Sequence, residues 1–201
     1  DQVVFPTPMC ITWDQLNDRH VFFNAAPTAS GPSHQPGEVV ETDPIVGDLV
    51  FVPAGTFTQG SPEDEPCRSG NETPFQHTLT RDLAVMATEV TQGMWAALRL
   101  AQPTLPEDPT QPAGGVGVNN PVSRMTWFEA VLFANLLSVH EGLTRCYYAN
   151  AGFTMPIDAT NYTAGPFYCD FNADGYRLLT EGEWEYACRA GTATAFWLAE
   201  P

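Results

Sequence analysis

The chain has 201 residues, of which 43% are hydrophobic, so it can form one domain with a buried core. Its net charge is −16, and all eight basic residues are arginine. The sequence therefore lacks the basic stripe that a nucleic-acid-binding protein needs, and it lacks the lysine needed for Schiff-base chemistry. Nor is any apolar run long enough to span a membrane.

Residues 1–46 show no sustained hydrophobic periodicity. The segment 25–44 is rich in Pro, Ser, Gly and Thr, a composition typical of a linker. Residues 1–24 then read as a remnant of an upstream unit, and the apolar cluster 21–23 is a candidate strand of that remnant. We therefore divide the chain into an upstream remnant with its linker at 1–46 and one domain at 47–201.

Short strands are predicted in the first part of this domain. An apolar strand at 49–52 is followed by a Pro-Ala-Gly turn and a return strand at 56–59. Residues 77–90 alternate well enough for two further strands. One side of these strands is expected to carry Leu79, Leu83, Val85 and Ala87.

Two helices are predicted from capping boxes, in which a threonine and a glutamate three residues later bond each other's backbone N–H groups. The first begins at Thr126 and ends before Gly142, and the second begins at Thr180 and ends before Gly191. A third helix is predicted near Thr91. The buried face of the first helix is expected to contain Trp127, Ala130, Val131, Ala134 and Leu137, and that of the second Trp184, Ala187 and Cys188.

Five cysteines are scattered along the chain, and none belongs to a C-x-x-C pair. This usage favours an oxidising compartment, and the odd number leaves one thiol free or paired outside the chain. Cys146 and Cys169 bracket a long polar loop with little core of its own, so we predict a disulfide between them. The others are Cys10, Cys67 and Cys188.

Four ordered segments resemble the formylglycine-generating enzymes, also called sulfatase-modifying factors. They are GTFTQGS at 55–61, EVT at 89–91, PVSRMTWFEA at 121–130 and YRLLTEGEWEYA at 176–187. The sequence departs from the family pattern at Gln59, where methionine is usual, at Leu179, where proline is usual, and at Gly182, where alanine is usual. The resemblance covers residues 48–201 and implies an α+β, C-type-lectin-like fold with much irregular loop.

The resemblance also implies chemistry that lies downstream of these motifs. In family members that are oxidases, a cysteine pair holds Cu(I) and converts a cysteine of a sulfatase to formylglycine, and calcium-binding loops lie in the same region. The fold is therefore expected to be incomplete at its C-terminus, and no residue of this chain is assigned a catalytic, cofactor-binding or metal-binding role. Copper and structural calcium are implied only for the rest of the domain.

Three local patterns have a functional and a structural interpretation. The run 170–175 with Glu181 satisfies the EF-hand calcium pattern, but no helix is predicted before it, so we favour an Asp- and Asn-rich turn. The histidines lack metal-ligand spacing, and we expect surface or loop positions. Trp127 and Trp184 are expected in the core rather than in a ligand groove. The histidines are His20, His34, His77 and His140, and the other tryptophans discussed are Trp95 and Trp197.

These patterns leave two main functions open, with a purely structural role as a third option. The first is a copper-dependent oxidase acting on a sulfatase-type protein or peptide, if the whole domain is present and active. The alternative is a non-catalytic envelope module that uses the same fold to bind a peptide or glycan. In either case we expect an extracytoplasmic bacterial protein, either periplasmic, envelope-anchored or secreted, with no nucleic-acid partner.

Overall fold

The structure is a computed structural model that describes residues 23–25, 34–65, 68–110 and 115–193. Within these ranges the chain is an α+β domain with short strands, helices and long connecting loops. Its elements in chain order are β1 (Phe23–Ala25), β2 (Val39–Asp43), β3 (Gly47–Val52), β4 (Gly55–Gln59), β5 (Phe75–Leu79), β6 (Leu83–Met86), α1 (Gln92–Ala101), α2 (Trp127–His140), β7 (Tyr147–Tyr148), β8 (Tyr168–Cys169), β9 (Arg177–Leu178) and α3 (Glu181–Arg189).

The main sheet has five antiparallel strands in the order β2-β3-β6-β1-β9. At its centre, Leu49 of β3 lies opposite Met86 of β6, and Val52 lies opposite Leu83. All four residues of β6 are buried, as expected for a central strand covered on both faces. The sheet therefore provides one wall of the hydrophobic core.

The segment predicted as a linker contributes β2 to this sheet. Most side chains of β2 are exposed, because it is the edge strand beside β3. An edge strand of this kind has no clear apolar alternation, which explains why the sequence pattern gave no sign of it. The candidate strand at 21–23 corresponds in part to β1, which begins at Phe23.

A second, two-stranded sheet consists of β4 and β5, with Gly55 opposite Leu79 and Gln59 opposite Phe75. Both strands were predicted, but β4 does not return along β3 as expected. The chain instead crosses to the second sheet after Val52, where the Ala54 N–H donates to Asp82 Oδ1 at 2.8 Å. The prediction of a β3–β4 hairpin was therefore wrong. The hydrogen bond between Ala54 and Asp82 joins residues that are distant in sequence, so no local pattern indicates it.

Helix α2 lies in the centre of the domain and is buried on nearly all sides. Its predicted capping box is confirmed: the Glu129 N–H donates to Thr126 Oγ1 at 3.2 Å, and the Thr126 N–H donates to Glu129 Oε2 at 2.6 Å. The predicted buried face is confirmed except at Trp127, which is 49% exposed. Trp127 is the first residue of the helix, and its ring projects beyond the core to pack edge-on against Phe167 at 5.1 Å.

Helix α1 confirms the helix predicted near Thr91, and it packs against α2 through two stacked rings. Trp95 is fully buried, and its ring centroid lies 5.2 Å from that of Phe133. The Trp95 indole N–H donates to the carbonyl oxygen of Pro106, so its polar atom is satisfied.

Helix α3 has the predicted capping box, with Thr180 Oγ1 accepting from Glu183 N and Glu183 Oε2 accepting from Thr180 N. The predicted buried face is wrong. Gly182 and Glu185 are buried, whereas Trp184 is only half-buried and Cys188 is exposed. The inward face is polar because Glu185 accepts a hydrogen bond from the N–H of Gly60, which directly follows β4.

The predicted disulfide between Cys146 and Cys169 is not formed, and both thiols are free. β7 and β8 do bring this part of the chain together, but the register places Cys169 opposite Tyr147. Because successive residues of a strand point to opposite faces, the two sulfur atoms are not directed at each other. Strand pairing, rather than a covalent bridge, thus joins the two ends of the polar loop.

Candidate functional site

An open cavity of about 220 Å³ lies between the end of β5 and the start of α3. Two parts of the chain form its walls, residues 77–81 on one side and the segment from β9 into α3 on the other. The lining residues are His77, Thr78, Leu79, Thr80, Arg81, Phe171, Arg177, Thr180 and Glu183. The second wall belongs to the run YRLLTEGEWEYA, so the longest motif of the sequence builds one side of this cavity.

A buried ion pair joins β9 to α3 at the floor of the cavity. Arg177 Nη1 donates to Glu183 Oε2 at 2.7 Å and Arg177 Nη2 donates to Glu183 Oε1 at 2.6 Å, a two-pronged arrangement with side chains only 6% and 12% exposed. Burial acts to raise the pKa of Glu183, but hydrogen bonds from Arg177 and Thr180 outweigh it and hold this pKa below its usual range. Burial likewise acts to lower the pKa of Arg177, and Glu183 raises it overall.

Phe171 connects two arginines across the cavity. Its carbonyl oxygen accepts a hydrogen bond from Arg81 Nη1, and its ring lies 4.9 Å from Cζ of Arg177. The guanidinium of Arg177 therefore combines an ion pair with a cation–π contact. Arg81 is oriented by a neutral carbonyl, and no acidic side chain of the described residues forms an ion pair with it.

His77 lies in the cavity wall next to Gln59 and Gly182, two residues at which the sequence departs from the family pattern. Gln59 Oε1 lies 2.6 Å from His77 Nδ1, and a Cβ added at Gly182 would lie 2.3 Å from His77 Cε1. An amide oxygen can only accept, so this contact places the hydrogen on Nδ1. Glutamine at 59 and glycine at 182 therefore both accommodate the same imidazole ring, and His77 lies in a strand rather than in the surface or loop position that we predicted.

The described cysteines do not fit a copper site. A Cu(I) site needs two adjacent thiolates, but burial raises the pKa of Cys146 to about 12 and that of Cys169 to about 11. Cys146 is only 1% exposed, and Cys188 lies apart on α3. Cys10 and Cys67 are outside the described residues. The described thiols therefore do not supply a pair of copper ligands.

The EF-hand-like run uses its acidic side chains in local hydrogen bonds. Asp170 Oδ1 accepts from the Asn172 N–H at 2.9 Å, and Asp174 Oδ1 accepts from the Thr144 N–H at 2.7 Å. The short strand β8, not a helix, precedes the run. Within the part of the chain that the structure describes, no group of three or more His, Cys, Asp or Glu side chains is placed to hold a metal.

An exposed aromatic surface is formed by residues that do not line the cavity. Trp127 and Phe128 are 49% and 38% exposed, and both rings contact Phe167. Core packing was expected for Trp127, so its exposure is a correction. The sequence also gave no indication of the cavity residues Arg81 and Phe171, since their contact joins positions that are remote along the chain. The sequence signals near the cavity were the motif at 176–187, which supplies one wall, and the departures from the family pattern at Gln59 and Gly182, which contact the lining residue His77.

A family model described as the sulfatase-modifying factor enzyme 1-like domain matches residues 36–200. Among curated proteins, the chain is 29% identical over 149 residues to the chaperone protein LppX of Paenibacillus barcinonensis, covering 73% of this chain and 47% of LppX. The chain thus spans about half the length of this relative. None of the described helices has the length and apolarity that a membrane span requires.

Solved structures give the same fold. The structure of PvdO from Pseudomonas aeruginosa matches with a TM-score of 0.60 and 26% identity, covering 84% of this chain and 57% of PvdO. Treponema denticola variable protein 1 matches with a TM-score of 0.58 and 26% identity, covering 78% of this chain and 58% of that protein. The α+β fold expected from the four motifs is therefore confirmed, and the chain belongs to the sulfatase-modifying factor enzyme 1-like family.

Proposed function

We propose that this chain is a non-catalytic binding module that takes an extended peptide along the edge of β5. The observation that carries this proposal is the open cavity beside an unpaired strand edge. Five consecutive residues, 77–81, line the cavity; the first three belong to β5, and Thr80 and Arg81 follow its end. Because side chains alternate between the two faces of a strand, a cavity on one face would be lined by every second residue. The consecutive lining indicates that the cavity follows the edge of the strand.

The backbone of β5 supports this mode of binding. In the described residues its ladder hydrogen bonds go to β4 alone, and the two strands form an isolated pair. The other edge of β5 therefore offers backbone N–H and C=O groups to an added strand. An extended peptide can use these groups, whereas a glycan cannot continue a backbone ladder. A peptide is thus the better-supported ligand of the two alternatives.

The name of one relative agrees with this function. LppX is named a chaperone protein, and chaperones act on other polypeptides. We extend only the general property, the binding of a polypeptide segment, to this chain. The extracytoplasmic location remains a prediction from the sequence composition, and fractionation of the bacterium would test it.

Selection from a displayed library of random peptides tests the proposal. The wild-type chain is expected to enrich peptides that bind it, and Thr80→Trp, which places a large ring in the cavity, is expected to lose them. Thr80 is exposed, so this substitution should preserve the fold. Thr88→Trp is a matched control, because Thr88 is also exposed but does not line the cavity. Failure to enrich any peptide, or equal binding by the Thr80→Trp variant, would contradict the proposal.

Family membership favours a second candidate, in which the whole protein is a copper-dependent oxidase of sulfatase cysteines. The described thiols do not supply its copper ligands, so we expect no oxidation by this chain. The test is incubation of the 201-residue chain with Cu(I), oxygen and a sulfatase-type cysteine peptide, followed by mass spectrometry. Formation of the aldehyde would establish the oxidase and overturn the non-catalytic proposal.

A further inference from the structure

We infer that the group bound in the cavity is a carboxylate on an otherwise uncharged or basic peptide, an inference that rests on the peptide-binding function proposed above. The charges of the cavity give the first argument. Arg177 and Glu183 neutralise each other in their ion pair, and Arg81 has no acidic ion-pair partner among the described residues. With histidine counted as neutral, the cavity carries one uncompensated positive charge, which matches one carboxylate.

The geometry of Arg81 gives the second argument. One of its terminal nitrogens donates to the carbonyl oxygen of Phe171, and the described residues offer no further hydrogen-bond partner to the guanidinium. Phe171 is itself fixed by Arg177 against its ring. A half-buried guanidinium that is oriented in this way retains N–H donors in the planar fork that carboxylates accept.

The charge of the whole chain restricts what carries the carboxylate. With a net charge of −16, the protein repels polyanions such as nucleic acids and polyphosphates. Their repeated charges would face the acidic surface even if one of them reached Arg81. A single carboxylate on a neutral or basic peptide avoids this repulsion. It can come from an acidic side chain or from the C-terminus of the peptide.

Small probes distinguish these possibilities by NMR. The eight arginines and the absence of lysine give a sparse set of side-chain N–H signals, in which Arg81 is assigned by substitution. The probes are N-acetyl-glutamic acid α-amide, its neutral counterpart N-acetyl-glutamine α-amide, and N-acetyl-alanine with a free terminal carboxylate. We expect at least one carboxylate probe to shift the Arg81 Nε–H signal and to bind about tenfold tighter than the glutamine probe. The better of the two carboxylate probes identifies the source of the group.

Variants show whether Arg81 is responsible. Arg81→Gln should weaken binding of the carboxylate probe about tenfold, and Arg81→Lys, which keeps the charge, should restore part of it. Arg99→Gln is the control, because Arg99 pairs with the exposed Glu107 and does not line the cavity. Equal binding of the carboxylate and glutamine probes, no binding of any probe, or an unchanged affinity in Arg81→Gln would overturn this inference. Peptide enrichment sensitive to Thr80→Trp would still support the binding module in each of these cases.

Discussion

At Gly182 the lack of a side chain determines where a neighbouring ring can lie. The ring of His77 occupies the space that a Cβ would take, and Gln59, which is 7% exposed, holds the ring from the other side. Alanine is usually better than glycine within a helix by roughly 0.5 to 1 kcal/mol. The contact with His77 should reverse this preference at position 182.

A double-mutant cycle measures the contact between these two residues. We expect Gly182→Ala to destabilise the wild-type chain by about 1 to 3 kcal/mol, because displacing His77 leaves the buried Gln59 amide oxygen without its partner. In a His77→Ala background, the same substitution should be neutral or stabilising by up to about 1 kcal/mol. Urea unfolding of the four proteins gives the coupling energy. Equal effects of Gly182→Ala in both backgrounds would show that the position of the His77 ring does not depend on the lack of a side chain at Gly182.

Residue identity alone revealed part of this arrangement. The positions of Gln59 and Gly182 were visible as departures from the family pattern, but nothing in the sequence related either of them to His77. Both contacts bring together residues that are distant along the chain. The predicted burial of Trp127 was also wrong. Its spacing fits the apolar face of α2, but its position at the start of the helix leaves it 49% exposed.

At the scale of elements, the ion pair between Arg177 and Glu183 fixes β9 to α3. We expect Glu183→Gln to cost about 3 to 5 kcal/mol of unfolding free energy, because it leaves the buried guanidinium uncompensated. Glu107→Gln is the matched control, since Glu107 makes an ion pair with Arg99 but is 87% exposed, and it should cost less than about 1 kcal/mol. Thermal or urea unfolding at pH 7 compares them, and similar losses in both variants would contradict the account.

The same ion pair predicts a dependence of stability on pH. The pKa of Glu183 is lower in the folded chain than its usual value of about 4.3, so its contribution to stability is fully present above that value. It is lost as the pH falls through the lowered pKa of the folded state. The difference in stability between the wild-type chain and Glu183→Gln should therefore shrink as the pH falls below about 4.3, through the lowered pKa of the folded state. A constant difference across this range would contradict the ion pair as its cause.

Asn135 joins α2 to the loop that follows it. It is fully buried, and its amide group donates to the carbonyl oxygens of Tyr147 and Ile157 and accepts from the Tyr147 N–H. Asn135→Ala should cost about 3 kcal/mol or more, because three buried backbone groups lose their partner. Asn172→Ala, at an exposed turn, should change stability by less than about 0.5 kcal/mol. Urea unfolding of both variants is the measurement, and a small effect of Asn135→Ala would show that another group satisfies these atoms.

The elements themselves were more predictable than their pairing. Capping boxes predicted the starts of α2 and α3 because the relevant hydrogen bonds join residues three positions apart. Strand partners were not predictable in this way: β4 pairs with β5 instead of β3, and the edge strand β2 has no apolar alternation. The inward face of α3 was also missed, because Glu185 is buried by a bond to the Gly60 N–H, and a hydrophobic pattern does not record such a bond.

At the scale of the whole molecule, this chain has the fold of its family and a candidate binding site, but its described thiols do not supply the family's copper ligands. The motif at 176–187 builds one wall of the cavity and contains both residues of the Arg177–Glu183 ion pair. Burial raises the pKa of the Cys146 and Cys169 thiols, and no group of three or more His, Cys, Asp or Glu side chains among the described residues is placed to hold a metal. The fold was predictable because four motifs occur in family order. The cavity was not, because its two walls come from separate regions of the chain.

The most direct test of the account is a map of backbone amide chemical shifts as the chain is titrated with a peptide enriched in the display selection. The account predicts that the largest shifts fall at 77–81 and around Phe171, Arg177 and Thr180, and that Thr80→Trp abolishes them. Shifts centred on Trp127, Phe128 and Phe167 would instead place the ligand on the aromatic surface and contradict the assignment of the cavity as the binding site.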